Sequence, residues 1–320
     1  MKKTAAILLA LTLVGGTALP AAANKPQKQH KRAIVLASFG TTWPQALKAL
    51  LNIENRVQKA FPDYEVRLAF TSNIIRNIWH KRQHDKKFQQ QHPDIPRQIM
   101  YVQGPLATIA TLQDAGYRTI YVQPTHIYAG EEYRDLCSYV AGLNSIKTIK
   151  ARFMPFSKLA IGRPALGKPG DDHPYHEDMQ KAVATLKDDV ATAAKHGAAL
   201  VYMGHGNEFF STGIYAEFQQ MLRRAYPDTA IFVGTVEGFP SFDDVLTQLK
   251  HTGVKKVFLK PMMVVAGDHA NNDMAGDDDD SWKKQLEKNG ISVITELKGL
   301  GENDAWADIY VEHLKELVKK

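Results

Sequence analysis

The sequence predicts an α/β protein made of two similar Rossmann-like domains, each a parallel sheet flanked by helices, facing one another across a cleft. Three observations predict it. Short apolar runs ending in glycine or polar loops alternate with amphipathic helical patterns along the chain, as in parallel sheets covered by helices on both faces. The two halves also repeat one another weakly: 33–40 resembles 199–206, 65–73 resembles 230–238, and 116–132 resembles 253–269, with Ala-Gly-acid shared at 129–131 and 266–268. Finally, Cys137 is the only cysteine, so no intrachain disulfide forms and the fold must rest on its core. Cys137 itself reads as a buried small apolar residue.

At the amino terminus, Lys2 and Lys3 precede an apolar run over 5–19, and Ala21, Ala22 and Ala23 follow it. These are the three parts of a secretory signal peptide, with an apolar core too short to span a bilayer. Residues 1–23 are therefore expected to be cleaved near Ala23. That places the mature chain in the periplasm, without stable membrane insertion. Residues 24–31, polar and lysine-rich, read as a disordered leader.

The first domain, 32–160, opens with a strand at 33–40, a loop at 41–44, and a helix through Leu47, Leu50, Ile53 and Val57. A strand at 65–71 leads into a helix around Ile74, Ile75 and Ile78, and the polar stretch 80–96 reads as a solvated helix or loop. A strand at 99–103, a helix at 106–115 and a strand at 119–124 follow. Residues 161–177, with Pro164, Gly167, Pro169, Gly170 and Pro174, read as a loop or linker. The second domain, 178–320, shows helices at 179–195, 214–226, 242–250 and 282–288, alternating with strands at 198–206, 230–236, 254–263 and 291–296. A last helix at 304–317 is free to fold back on the first domain.

The formal charge is +6; removing Lys2 and Lys3 from 40 basic residues against 34 acidic leaves +4. So mild a balance argues against a nucleic-acid partner.

At its three strand ends the second half offers His205, Glu237 and His269, where the first half has Phe39, Ser72 and Glu132. Two imidazoles and a carboxylate suit a borderline divalent ion such as Co²⁺, Zn²⁺ or Fe²⁺, with coordination positions left open. Asp268 and Asp273 stand beside His269 as carboxylates able to fix its tautomer. Phe39 and Trp43 offer an apolar opposite wall for something flat. His126 sits at the end of a first-half strand, whereas His173 and His176 read as surface residues. The run Asp277 to Asp280 precedes a helix and reads mainly as charge favouring its amino-terminal end.

The motifs Tyr202-Met203-Gly204-His205-Gly206, Val233-Gly234-Thr235-Val236-Glu237-Gly238, and Pro261-Met262-Met263 through Gly267-Asp268-His269-Ala270 to Gly276-Asp277 closely resemble the anaerobic sirohydrochlorin cobaltochelatases of the cobalamin pathway. Leu36 to Thr41 and Thr125 to Tyr133 match the first half of the same family. The resemblance, from about Arg32 to the end, implies a class II chelatase fold with a tetrapyrrole in the cleft. It also implies insertion of Co²⁺ into sirohydrochlorin with release of two protons. The family's metal ligands, which are also its catalytic residues, carry over onto His205, Glu237 and His269. Phe39, Trp43, His126, Met262 and Met263 are expected to contact the substrate, with Arg76 and Lys260 as rim cations for its carboxylates. Co²⁺ is the expected metal, with Fe²⁺ and Zn²⁺ as the other ions the set suits. No organic cofactor is required, and haem is a further group the fold can accommodate. Family members are commonly homo-oligomeric, so a homo-oligomer is implied. The chain departs from the family in its signal peptide and in the longer 162–176 region. Two other readings remain open: an exported tetrapyrrole, haem or metal carrier on a chelatase fold, and a metal-dependent hydrolase.

Overall fold

The computed structural model describes residues 31–170, 173–208 and 210–320. The proposed signal peptide and nearly all of the leader lie outside them. The first four strands are β1 (Lys31–Ser38), β2 (Glu65–Phe70), β3 (Tyr117–Pro124) and β4 (Lys158–Ile161). The second four are β5 (Ala199–Gly206), β6 (Ile231–Glu237), β7 (Lys256–Met262) and β8 (Ser292–Thr295). They form two parallel sheets of the same topology, ordered β2-β1-β3-β4 and β6-β5-β7-β8. The internal repeat in the sequence thus becomes a repeat in space.

The helices of the first half are α1 (Leu47–Ala60), α2 (Asn73–Arg82), α3 (Lys86–Gln91), α4 (Arg97–Met100), α5 (Pro105–Asp114) and α6 (Glu131–Asn144). Then come α7 (Tyr175–Thr185), α8 (Lys187–Lys195), α9 (Gly213–Ala225), α10 (Phe242–His251), α11 (Trp282–Lys288) and α12 (Asp304–Lys319). Side chains alternate along each strand. Ile34 and Leu36 of β1, with Leu200 and Tyr202 of β5, enter one central core shared by both sheets, packed by α1, α7, α9 and α12. The intervening residues face outward into separate clusters, Ala33, Val35 and Ala37 on one side and Val201 and Met203 on the other. Strands covered on both faces must be apolar at nearly every position. The burial pattern of β1 and β5 has that form.

Several elements differ from the sequence expectation. The expected strand at 99–103 is instead the short α4, started after Pro96, and the extended remnant contributes a single bridge between Ala69 and Gln103. Its apolar residues bury equally well on a helical turn, and periodicity cannot separate the two states over so few residues. The fourth strand of the first sheet is β4, four residues long at the sheet edge. The expected helix at 179–195 is interrupted at Leu186, giving α7 and α8. Lys31, assigned to the leader, already pairs with Tyr117 as the first residue of β1. Cys137 is half-buried rather than buried.

The last helix lies against the first half. Tyr310 of α12 donates to the carbonyl of Thr125 at 2.9 Å, and Asn52 of α1 donates to Asp304 at 3.0 Å. A buried charged cluster ties the 161–177 segment to α7 and α12. Arg163 donates from Nε to Asp178 Oδ2 at 2.6 Å, His313 Nε2 meets Asp178 Oδ1 at 3.1 Å, and Glu316 pairs with Arg163 at 2.8 Å. Burial opposes the charge on Asp178, but hydrogen bonds from His313 and Arg163 hold its carboxyl well below the usual range. His173 joins this cluster at 3.0 Å from Asp178, so it is not the surface residue expected; His176, by contrast, is exposed and pairs with Glu217 at 2.6 Å.

Candidate active site

Parallel α/β sheets gather their loops at the carboxyl ends of the strands, and that is where the cavity of this protein lies. Its volume is 430 Å³. The floor is made by segments following β1 (Ser38 to Thr42), β3 (Thr125 to Tyr128), β5 (His205, Gly206) and β7 (Met262 to His269), with side walls from α1, α2 and α9.

β5 and β7 are neighbours, with Gly204 registered against Met262. Their ends therefore bring His205 and His269 together, ring centroids 4.7 Å apart and planes at 85°. His205 Nδ1 donates to the carbonyl of Gly206 at 3.0 Å, and His269 Nδ1 lies 2.5 Å from the Asp273 carboxylate. A carbonyl and a carboxylate only accept, so both rings carry the proton on Nδ1. In its neutral form each ring therefore keeps the Nε2 lone pair for a ligand in the cavity. His269 and Asp273 are held four residues apart across the π-helical turn Ala270–Met274. The turn that ends β5 requires glycine. Gly206 has φ +82°, and a Cβ there would lie 1.7 Å from the carbonyl oxygen of Glu237. Gly40, its counterpart after β1, has φ +98°.

Glu237 does not join the two histidines in this structure. It ends β6, the direct neighbour of β5, and is registered against Gly206, but its side chain is exposed and it does not line the cavity. Among the described residues, no group of three His, Cys, Asp or Glu side chains is disposed to hold a metal ion. Glu237 acts on the site electrostatically: burial first, then the charges of Glu132, Glu131 and Glu237, push the Tyr128 phenol up. Asp268 lines the cavity, but the carboxylate that pairs with the His269 ring is that of Asp273. The Asp268 carboxylate accepts from Trp43 Nε1 at 3.4 Å and from Asn272 at 3.0 Å.

Phe39 lines the cavity, its ring 5.7 Å from that of His205. Trp43 does not line the cavity; it bridges the halves through Asp268. The apolar wall is completed instead by Ile74, Ile75 and Ile78 of α2. Met262 and Met263 both line the floor. His126 lines it as well, with both ring nitrogens buried and without a hydrogen-bond partner. Burial lowers its pKa to about 4, so it is neutral near pH 7.

Neither proposed rim cation reaches the cavity. Lys260 is buried between Asp189 and Glu296, 2.5 Å from each, and Arg76 is spent on the carbonyls of Phe70 and Thr71 and on Asn73. Among the described residues, no lysine or arginine lines the cavity. Residues not singled out for the site in the sequence do line it: Ser72, Glu132, Tyr128 and Tyr215. Ser72 and Glu132 could have been found, because they are the repeat partners of Glu237 and His269.

The two halves are also joined beside the cavity. Asn207, just past β5, accepts through Oδ1 from the backbone N–H of Glu131 at 2.8 Å, capping α6 of the opposite half.

Comparison with known proteins agrees with this geometry. The cobalt chelatase (CbiK) family profile matches residues 32–319. The chain is 32% identical to the sirohydrochlorin cobaltochelatase CbiKC of Nitratidesulfovibrio vulgaris, covering 91% of this chain and 93% of that protein. It is likewise 32% identical to the sirohydrochlorin cobaltochelatase of Salmonella typhimurium, covering 89% and 95%. Two solved structures share the fold at low identity. SirB from Bacillus subtilis with Fe³⁺ has a TM-score of 0.55 at 12% identity, covering 90% of this chain and 95% of that one. The sirohydrochlorin chelatase SirB from Bacillus subtilis subspecies spizizenii in complex with cobalt has 0.52 at 14%, covering 90% and 96%. A paired-histidine cavity between two repeated α/β units, and a family match over nearly all the described chain, lead to one conclusion: the protein belongs to the cobalt chelatase family.

Proposed function

We propose that the protein inserts Co²⁺ into sirohydrochlorin, with Fe²⁺ as the other metal it accepts. The observation that carries this reading is the His205 and His269 pair: two Nδ1–H tautomers side by side, both facing one cavity with free Nε2 lone pairs. Two nitrogens with open positions form a delivery site rather than a storage site, because a chelatase must surrender its metal. Glu237 supplies the third ligand when its exposed side chain turns from the rim toward the histidines.

The macrocycle lies against the apolar wall of Phe39, Ile74, Ile75 and Ile78, above Met262 and Met263. With no cation lining the cavity among the described residues, its carboxylates point to the mouth and water. Insertion exchanges histidine nitrogens for pyrrole nitrogens and releases two protons. Glu132 and Asp268, the carboxylates on the cavity wall, together with the histidines freed of metal, are placed to receive them.

The signal-peptide pattern of residues 1–23 supports a periplasmic location, and the family resemblance supports a homo-oligomer of two-domain subunits spanning 32–160 and 178–320. Anaerobic incubation of the purified protein with excess sirohydrochlorin and Co²⁺ tests the enzymatic reading. A spectral change that passes many equivalents per subunit is expected. A change that stops at one equivalent indicates a carrier and overturns turnover as the function.

A further inference from the structure

At the far end of the first sheet, away from the cavity, the chain between α6 and β4 has an unusual surface. Over 145–153 it reads Ser-Ile-Lys-Thr-Ile-Lys-Ala-Arg-Phe. Ile146 is 42% exposed, Phe153 61%, and Ile149 fully exposed. Lys147, Lys150 and Arg152, interleaved with them, are exposed too, and no carboxylate pairs with any of the three among the described residues. The guanidinium of Arg152 lies over the Phe153 ring, 4.9 Å from its centroid. Single exposed apolar side chains are ordinary on protein surfaces. Three within eight residues, alternating with three unpaired cations, are not.

The surroundings sharpen the point. From Leu136 to Gly170 the chain has six basic residues and no Asp or Glu. The segment is anchored rather than free, because Ser157 donates its N–H to the carbonyl of Arg118 at 2.7 Å and Asn144 donates to that of Leu159 at 2.8 Å. These anchors fix it at the amino ends of β3 and β4, whereas the cavity opens at the carboxyl ends.

We propose that residues 146–153 dock the protein on an anionic phospholipid surface. The aliphatic and aromatic side chains would enter the boundary between headgroups and acyl chains, while Lys147, Lys150 and Arg152 meet the phosphates. Charge selects this occupant. A second copy seated on the same patch would set three cations against three cations, which an isologous contact cannot relieve. Docking by this end leaves the cavity mouth at the opposite end of the sheet, open to substrate. The inference does not depend on the reading of the cavity.

The test is cosedimentation of the chain from Asn24 onward with vesicles of phosphatidylcholine containing 30% phosphatidylglycerol, compared with pure phosphatidylcholine. Two variants are compared, K147E/K150E/R152E and I149S/F153S; both keep the lysines of 24–31, so any pull from that segment is common to all. Preferential binding to the anionic vesicles is expected, reduced by about tenfold or more in each variant, with circular dichroism and chelatase turnover unchanged. Equal binding to both vesicle types, or variants that bind as the parent does, overturns the proposal. So does a change of oligomeric state in the variants without any vesicle binding, which would assign the patch to a protein contact.

Discussion

His205 and His269 are a matched pair because each is fixed by a different neighbour, one by its own strand-end carbonyl and the other by Asp273 across a π-helical turn. Asp273→Asn keeps the shape but removes the charge that makes the ring a better donor to metal. Its Co²⁺ affinity, measured by equilibrium dialysis, should fall about 10- to 100-fold. His126 makes a different prediction, about acid stability. Its folded pKa of about 4 lies below the ordinary histidine value of 6.5, so the unfolded chain binds the proton first as pH falls. Stability is thus complete above 6.5 and is lost between 6.5 and about 4, by roughly 3 kcal/mol. In His126→Leu, urea denaturation across that window should lose this component of the slope. The histidines and Asp273 were legible in the sequence because strand ends are where such folds keep their chemistry. The side-chain positions of Glu237 and Asp268 were not, since a place at a strand end does not fix side-chain direction, which depends on exposure and on partners such as Trp43 from the other half.

At the scale of elements, the buried cluster around Asp178 ties the 161–177 loop and the α7 that follows it to α12, more than a hundred residues further along the chain. Asp178→Ala leaves Arg163 and His313 buried without their anion. It should destabilise the fold by about 3–5 kcal/mol in urea titrations. The carboxyl is held below its ordinary value, so its contribution is present above the unfolded pKa near 3.8 and is lost as pH falls through the lower folded value. Sequence patterns located the long strands and amphipathic helices because their periodicity runs for several turns or residues. They missed β4, whose four residues are too short to show a period, and misread 99–103, whose apolar side chains suit a buried helical turn as well as a strand. The proline- and glycine-rich 161–177 stretch looked like a plain linker. Its structural role came from Arg163 and His173 meeting Asp178, which no local pattern records.

At the scale of the molecule, duplication explains both what the halves share and what they divide between them. Both have the same strand order and turn at a left-handed glycine where their first strand stops, Gly40 just past β1 and Gly206 at the end of β5. Only the second half carries the histidine pair; the first supplies Phe39, the α2 isoleucines and Glu132. Contacts from Asn207 to Glu131 and from Trp43 to Asp268 bind the two halves together beside the cavity. This duplication is readable from three aligned segments, whereas the return of α12 to the first half rests on contacts with Asn52 and Thr125 that no local pattern records. The most direct measurement is anaerobic multiple-turnover cobalt insertion into sirohydrochlorin by the wild type, His205→Ala and His269→Ala, each with its circular dichroism spectrum and unfolding midpoint. Turnover by the wild type and its loss in both variants, on an intact fold, is the expected result; full activity in either variant would contradict delivery of the metal by the histidine pair.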